Sequence, residues 1–243
     1  EVDPARGRLM HIQSFVSARK SYTAYVVKYG EGDRQRAFSE RDLNRWGELL
    51  GKTGAERAAQ EFIKELKARG LEGEISSQEV PEITLYVTTD RGVVQAIDAE
   101  TGRTLWATLV GNRDYPTERP GVNEDYVAVL NGTSLYVLSR ETGALVWVRR
   151  TKGVPAAGPA VSDIFAVVPT YSGNIELYDL EEVRTLPKMY MSNGRALIQP
   201  TVTTLSIAWP TDRGFMYVAR ATDHGIRYRL ETKNTIVAPI TYM

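Results

Sequence analysis

"DAETGRTLW", residues 98–106, follows the strand-like run "LYVTTDRGVVQAI" (85–97) and places Asp98, Gly102 and Trp106 at intervals of four. Alone, the stretch describes a turn between two strands. It is not alone. "LYVLSRETGALVW", residues 135–147, repeats it 41 residues later: Gly102 becomes Gly143, Trp106 becomes Trp147, and Ser139 replaces Asp98. The preceding turns keep the same beat, with Gly92, Gly132, Gly173 and Gly214 separated by 40, 41 and 41 residues. Prolines supply a second marker: Pro81, Pro120, Pro159, Pro200 and Pro239 are spaced 39, 39, 41 and 39 apart. A period near 40 with several strands per unit is the signature of a β-propeller.

Each unit reads as four strands. "DYVAVL" and "SLYVLS" flank Asn131-Gly132 as a hairpin, since Gly accepts positive φ in a tight turn. "SDIFAVVPTYSGNIELYDL" and "LSIAWPTDRGFMYVA" repeat that hairpin. A second turn, "AETGR" or "RETGA", leads into an outer strand, and "GPAVS" or "QPTVT" opens the inner one. A blade cannot bury both of its faces alone, so stacked neighbours must supply the core. The expected fold is therefore mainly β: about four blades of four antiparallel strands, preceded by a small α+β module.

The motif "AIDAETGRTLW" resembles the tryptophan-docking motif of the PQQ-like, quinoprotein-type propeller repeat. The resemblance is close over 91–106, good over 131–147, and extends over roughly 80–243. It implies that Trp106 and Trp147 pack against a neighbouring blade while Asp98, Gly102 and Gly143 shape the turn before the outer strand. In the third unit Asp179 is present, but Val183 and Pro187 stand where Gly and Trp are expected. The insertion "EEVRTLPKMYMSNGR" there predicts a distorted outer strand and a contact edge bearing Arg184 and Lys188. Gly225 and Tyr228 are an approximate echo in the fourth unit. "NTIVAPITYM" opens a fifth repeat, from which we expect the natural chain to continue into a larger ring.

Residues 1–78 lack the period. "SYTAYVVKYG" and "RQRAFSE" read as strands around the turn "EGD". "SERDLNRWGELL" and "TGAERAAQEFIKELKARG" read as two helices, each opened by a capping-box pattern. The second carries Ala59, Phe62, Ile63 and Leu66 on one face, which is expected to pack on the strands. Residues 70–80 read as the linker into the propeller, 79–243.

Chemistry is sparse. The chain has no Cys and two His, His11 and His224, in unrelated contexts; Asp223-His224-Gly225 reads as a polar turn. Lys+Arg and Asp+Glu number 30 each, so the field expected of a nucleic-acid binder is missing. No apolar run approaches the roughly 20 residues of a membrane-spanning helix. "GELLGKTG" lacks phosphate-loop spacing, and no nucleophile elbow occurs. Quinone enzymes that resemble this repeat use a Trp floor, calcium held by Glu, Asn and Asp, and often a vicinal disulfide; the disulfide is impossible here. Arg149, Arg150 and Lys152 close the second outer strand, where charge discourages edge pairing or offers a dock for an acidic partner.

The reading is a non-catalytic propeller scaffold with no cofactor or metal. It binds other proteins of a periplasmic or secreted cell-envelope complex, or further copies of itself. The resemblance is to the branch similar in kind to the propeller lipoprotein of the outer-membrane β-barrel assembly machinery. Two alternatives stand beside it: a fragment of a quinone-linked oxidoreductase, and the extracytoplasmic sensor domain of a receptor.

Overall fold

A computed structural model describes residues 7–30, 34–222, 225–236, 238 and 240. Asp223, His224 and Pro239, singled out above, lie outside the described residues. The chain forms two compact units: residues 16–84 with 98–103, and residues up to 15 with 85–97 and everything from 104 onward.

In the smaller unit, β1 (Leu9–Tyr29) pairs antiparallel with β2 (Gln35–Ser39), in a register running from Ala24↔Ser39 to Lys28↔Gln35. The helix α1 (Gly51–Ala68) follows, then β3 (Gly73–Thr89) on the other side of β1. The 3.6-residue periodicity of α1 places Ala55, Ala59 and Leu66 against Tyr25, Val27 and Phe38, with Phe62 and Ile63 at the margin. Phe62 also meets Tyr29 edge-on at 5.4 Å. The helix ends in a Schellman motif: Leu71 N–H donates to Leu66 O and Gly70 N–H to Lys67 O, both at 3.0 Å.

Three expectations need correction. The stretch 39–50 is not a helix, because the Asn44 carboxamide accepts the N–H groups of Trp46 and Glu48 at 2.9 and 3.0 Å. Gly47 at φ +79° then turns the chain out of helical geometry. No side chain caps the start of α1, so the Thr53 capping box is not formed. Residues 70–80 are not a linker either: from Gly73 they are strand, paired along β1 despite their polar composition.

The larger unit holds the blades. The first follows the order β1, β3, β4 (Val93–Asp98), β5 (Thr104–Leu109), with the inner positions supplied by residues 9–15 and 85–89. The second runs β6 (Gly121–Val122), β7 (Tyr126–Asn131), β8 (Ser134–Ser139), β9 (Leu145–Arg150). The third runs β10 (Ala160–Val161), β11 (Phe165–Pro169), β12 (Asn174–Asp179), β13 (Lys188–Met191). The fourth runs β14 (Thr201–Val202), β15 (Ser206–Pro210), β16 (Phe215–Arg220), β17 (Ile226–Glu231). This is a β-propeller of four-stranded antiparallel blades. In the third blade Pro187 delays the outer strand, which has four residues where β5, β9 and β17 have six.

The core lies between blades. Along β7, Val127 and Val129 face Val94, Ala96 and Trp106 of the first blade. Ala128 and Leu130 face the other way, toward Val161, Ala166 and Val168 of the third. The period of two along one strand thus feeds two different cores.

A clasp fixes where the chain enters the first, second and fourth blades. The Asp90 carboxylate accepts Arg8 N–H at 2.7 Å, Asn131 accepts Asn112 N–H at 2.9 Å, and Asp212 accepts Arg195 N–H at 2.8 Å. The first and fourth clasps share sequence as well as geometry. Gly7-Arg8 meets "TDRG" at 89–92, and Gly194-Arg195 meets "TDRG" at 211–214. Gly7 and Gly194 stand at φ +94° and +100°, each against the Asp and the Arg of its own turn. Gly precedes Asp by 83 residues in the first blade and by 18 in the fourth, a difference of 65. The smaller unit is therefore inserted in the chain between the first and second strands of the first blade.

Backbone and guanidinium bonds from Arg195 hold the Asp212 carboxyl below its ordinary 3.8. A depressed carboxyl stabilises the fold above its unfolded pKa, and that contribution is lost as pH falls through the folded one. Asp212→Asn should accordingly lower the urea midpoint at neutral pH, and its difference from the unaltered protein should shrink as pH drops below 3.8.

Candidate functional site

The tryptophans sit at the seams between blades. Trp106 on β5 is 9% exposed, and its Nε1–H donates to Arg140 O of the next blade at 2.8 Å. Trp147 on β9 repeats the contact with Leu180 O at 3.0 Å. Gly143 stands at φ +70° under the Trp106 ring, where a Cβ would lie 2.5 Å from Cε3. Its carbonyl accepts Thr108 Oγ1–H at 2.7 Å. Gly102 has positive φ too, but a Cβ there meets nothing within 4 Å. In the third blade Pro187 does not take the indole's place. Tyr190 does, reaching Arg220 O with its hydroxyl at 3.4 Å and lying 5.5 Å from the Trp209 ring. Tyr228 on β17 is half exposed.

In the smaller unit Asp98 builds its own turn. One carboxylate oxygen accepts the N–H groups of Glu100 and Thr101 at 3.0 and 2.9 Å. The other binds the guanidinium of Arg41, which also reaches Glu82 at 2.6 Å and stacks over Tyr22 at 5.1 Å. All three ionic side chains are largely shielded from water. Sequence reasoning missed Arg41 because its carboxylate partners lie 41 and 57 residues away. Burial and a hydrogen bond with Glu100 push the Tyr22 phenol from 10.0 up to about 12.

The cations expected to face partners are divided among several settings. Arg149 turns inward: its guanidinium lies 5.1 Å above the Tyr178 ring, and Nη1 is buried. Arg150 is exposed and borders a cavity of about 610 Å³ with Tyr115, Asn131 and Tyr136. Lys152 points to solvent while its N–H, with that of Gly153, caps the buried Glu176 carboxylate at 3.1 and 2.8 Å. Tyr178 donates its hydroxyl to the same carboxylate, which with burial raises its pKa. Arg184 is exposed in the segment before β13, and Lys188 lies 5.2 Å above the Phe165 ring.

Residues of the inner strands line a cavity of about 430 Å³, the site to weigh against the quinone that the repeat's resemblance implies. Its polar side chains are Gln13, Arg119, Gln199 and Thr201. The Gln199 amide already donates to Pro159 O and Pro120 O at 2.6 and 3.1 Å, and Arg119 donates to Gln13 at 2.9 Å. The lining contains neither a Trp floor nor a Glu, Asn or Asp to hold calcium, so these residues do not fit the quinone–calcium pair. Among the described residues no group of three His, Cys, Asp or Glu side chains is arranged to hold a metal.

Indole-sealed seams and inner strands joined by side-chain hydrogen bonds define a propeller of the PQQ-like repeat class. The family model described as outer membrane protein assembly factor BamB matches residues 44–183 and 90–213, and the chain belongs to that family. A curated relative, outer membrane protein assembly factor BamB of Xanthomonas campestris pv. campestris, is 34% identical over 101 residues. That match spans 37% of this chain and 24% of the relative. Among solved structures, BamB from Moraxella catarrhalis superposes with TM-score 0.50 at 17% identity, covering 61% of this chain and 45% of that one. The Pan2 WD40 domain of Neurospora crassa gives TM-score 0.50 at 13% identity, covering 63% and 47%. The chain thus spans about a quarter of the curated relative and under half of either structure. Among the described residues no helix is long and apolar enough to cross a membrane.

Four substitutions separate the local forces. Trp106→Ala should cost about 3–5 kcal/mol in denaturant unfolding. Gly143→Ala should cost about 2–4 kcal/mol, from positive φ and overlap with the indole together, and Gly102→Ala only about 1 kcal/mol from φ alone. Arg41→Ala strands Asp98 and Glu82 in a shielded site and should cost about 3 kcal/mol.

The raised phenol gives an alkaline counterpart. A tyrosine with elevated folded pKa stabilises the fold below its unfolded value and loses that contribution as pH rises through the folded one. Stability should therefore decline between pH 10.0 and about 12, and Tyr22→Phe should flatten the decline.

Proposed function

We propose that the chain acts as a non-catalytic propeller scaffold, holding other proteins together in a periplasmic or cell-envelope complex that serves outer-membrane assembly. The observation that carries this reading is the match of its repeats to a family described as an outer membrane protein assembly factor. The axial lining supports it, because Gln199 and Arg119 serve to join inner strands to one another. The exposed cations Arg150, Lys152, Arg184 and Lys188 are the side chains assigned to acidic partners. Rim charges of this kind steer association more than they add affinity.

The test uses tagged protein expressed at native level and isolated from the envelope of its own host. Outer-membrane assembly proteins should be retained, and reversing the charges of Arg150, Lys152 and Arg184 together should reduce their recovery several-fold. Addition of PQQ with Ca²⁺ should leave the melting temperature unchanged. A saturable rise in melting temperature with those two ligands, or an envelope preparation that retains no assembly protein, would overturn the proposal.

A further inference from the structure

The segment between β2 and α1 is a hydrogen-bonded turn with an apolar tip. Leu43 and Leu49 form an antiparallel bridge, Asn44 N–H donates to Glu48 O at 2.8 Å, and Leu50 N–H donates to Asp42 O at 2.8 Å. The Asn44 side chain holds the turn from inside, and Gly47 closes it. On this frame Trp46 is 69% exposed, Leu43 45% and Leu49 47%. Stacked over the indole, 3.9 Å from its centre, is the guanidinium of Arg45. A tryptophan and an arginine on a pre-formed turn combine the side chains that dominate binding hot spots with a low ordering cost.

Charge identifies the occupant. Asp42 accepts Ser39 N–H at 2.9 Å, Glu48 accepts the Asn44 amide at 3.0 Å, and Arg41 is held by Asp98 and Glu82. Arg45 is thus the cation that the tip presents. Residues 43–49 carry Arg45 and Glu48, a net charge of zero, so an anionic bilayer has no net charge to attract. An apolar cavity on this chain, lined by Leu197, Ile198, Pro210 and Asp212, has its carboxylate taken by Arg195 and does not complement the tip.

We infer that residues 43–49 dock as a plug into a different protein. Trp46 enters an apolar pocket flanked by a carboxylate, and Arg45 pairs with that carboxylate. This rests on the scaffold reading and adds a second contact, separate from the cations of the blades.

The test places p-benzoylphenylalanine at Leu49 and photo-crosslinks the full chain in its native host. A single envelope protein should be captured through a peptide that contains or adjoins an Asp or Glu. With that protein purified, Trp46→Ala and Arg45→Glu should each weaken binding by about 30-fold, without lowering the melting temperature. Reversing the charge of the partner's carboxylate should restore binding to Arg45→Glu. Crosslinks only between copies of this chain, or flotation with phosphatidylglycerol vesicles that depends on Trp46, would overturn the proposal. If Leu49 crosslinks to nothing while the tagged chain still retains assembly proteins, the plug falls and the scaffold stands. If no assembly protein is retained at all, the scaffold itself falls.

Discussion

A blade of four strands has two apolar faces, and neither it nor any neighbour can cover both alone. What makes the first two seams specific is one indole N–H in each. Trp106 and Trp147 bury their rings between sheets and deliver the one polar atom of each ring to a carbonyl of the next blade. Burial alone is non-directional and would tolerate sliding of one sheet over another. A buried donor that must find its acceptor fixes the offset, because a slip leaves an unsatisfied N–H. Gly143 is the complement to this constraint. Only a residue without Cβ lets the turn of one blade lie beneath the indole of the previous one.

The third seam shows that the requirement is for the geometry and not for tryptophan. Pro187 and Val183 break the sequence motif, and the outer strand starts late. Tyr190 nevertheless spans the gap with a ring and a hydroxyl, and packs on Trp209, which is itself stacked with Tyr217 at 5.4 Å. A longer reach from a different strand position replaces a missing motif residue.

The period of 40 made the blades legible, since turn glycines and prolines are local requirements that recur with the repeat. The helix face Ala59, Phe62, Ile63 and Leu66 was legible for the same reason. The stretch 39–50 was misread because an Asn that accepts two backbone N–H groups and a Gly at φ +79° look, in sequence, like tolerable helix residues. Arg41 was invisible because its partners are distant in the chain. The insertion could have been found: Gly-Arg paired with Thr-Asp-Arg-Gly occurs at both ends of the repeat region. The 65 extra residues in the first copy hid it from a search tuned to a fixed period.

Residues 98–103 belong to the smaller unit, and Asp98 is the side chain that joins them to Arg41. In the second blade the equivalent position is Ser139, whose turn still closes through Gly143 N–H to Ser139 O at 2.9 Å. Turn formation alone therefore does not demand a carboxylate. The charge is needed where Arg41 is, and Arg41 is in turn shared with Glu82 of β3. A motif residue that resembles blade architecture in sequence thus closes, in this chain, a turn of the smaller unit around a shielded guanidinium. The insertion leaves the blade's period intact while carrying the exposed 43–49 tip on a frame of its own.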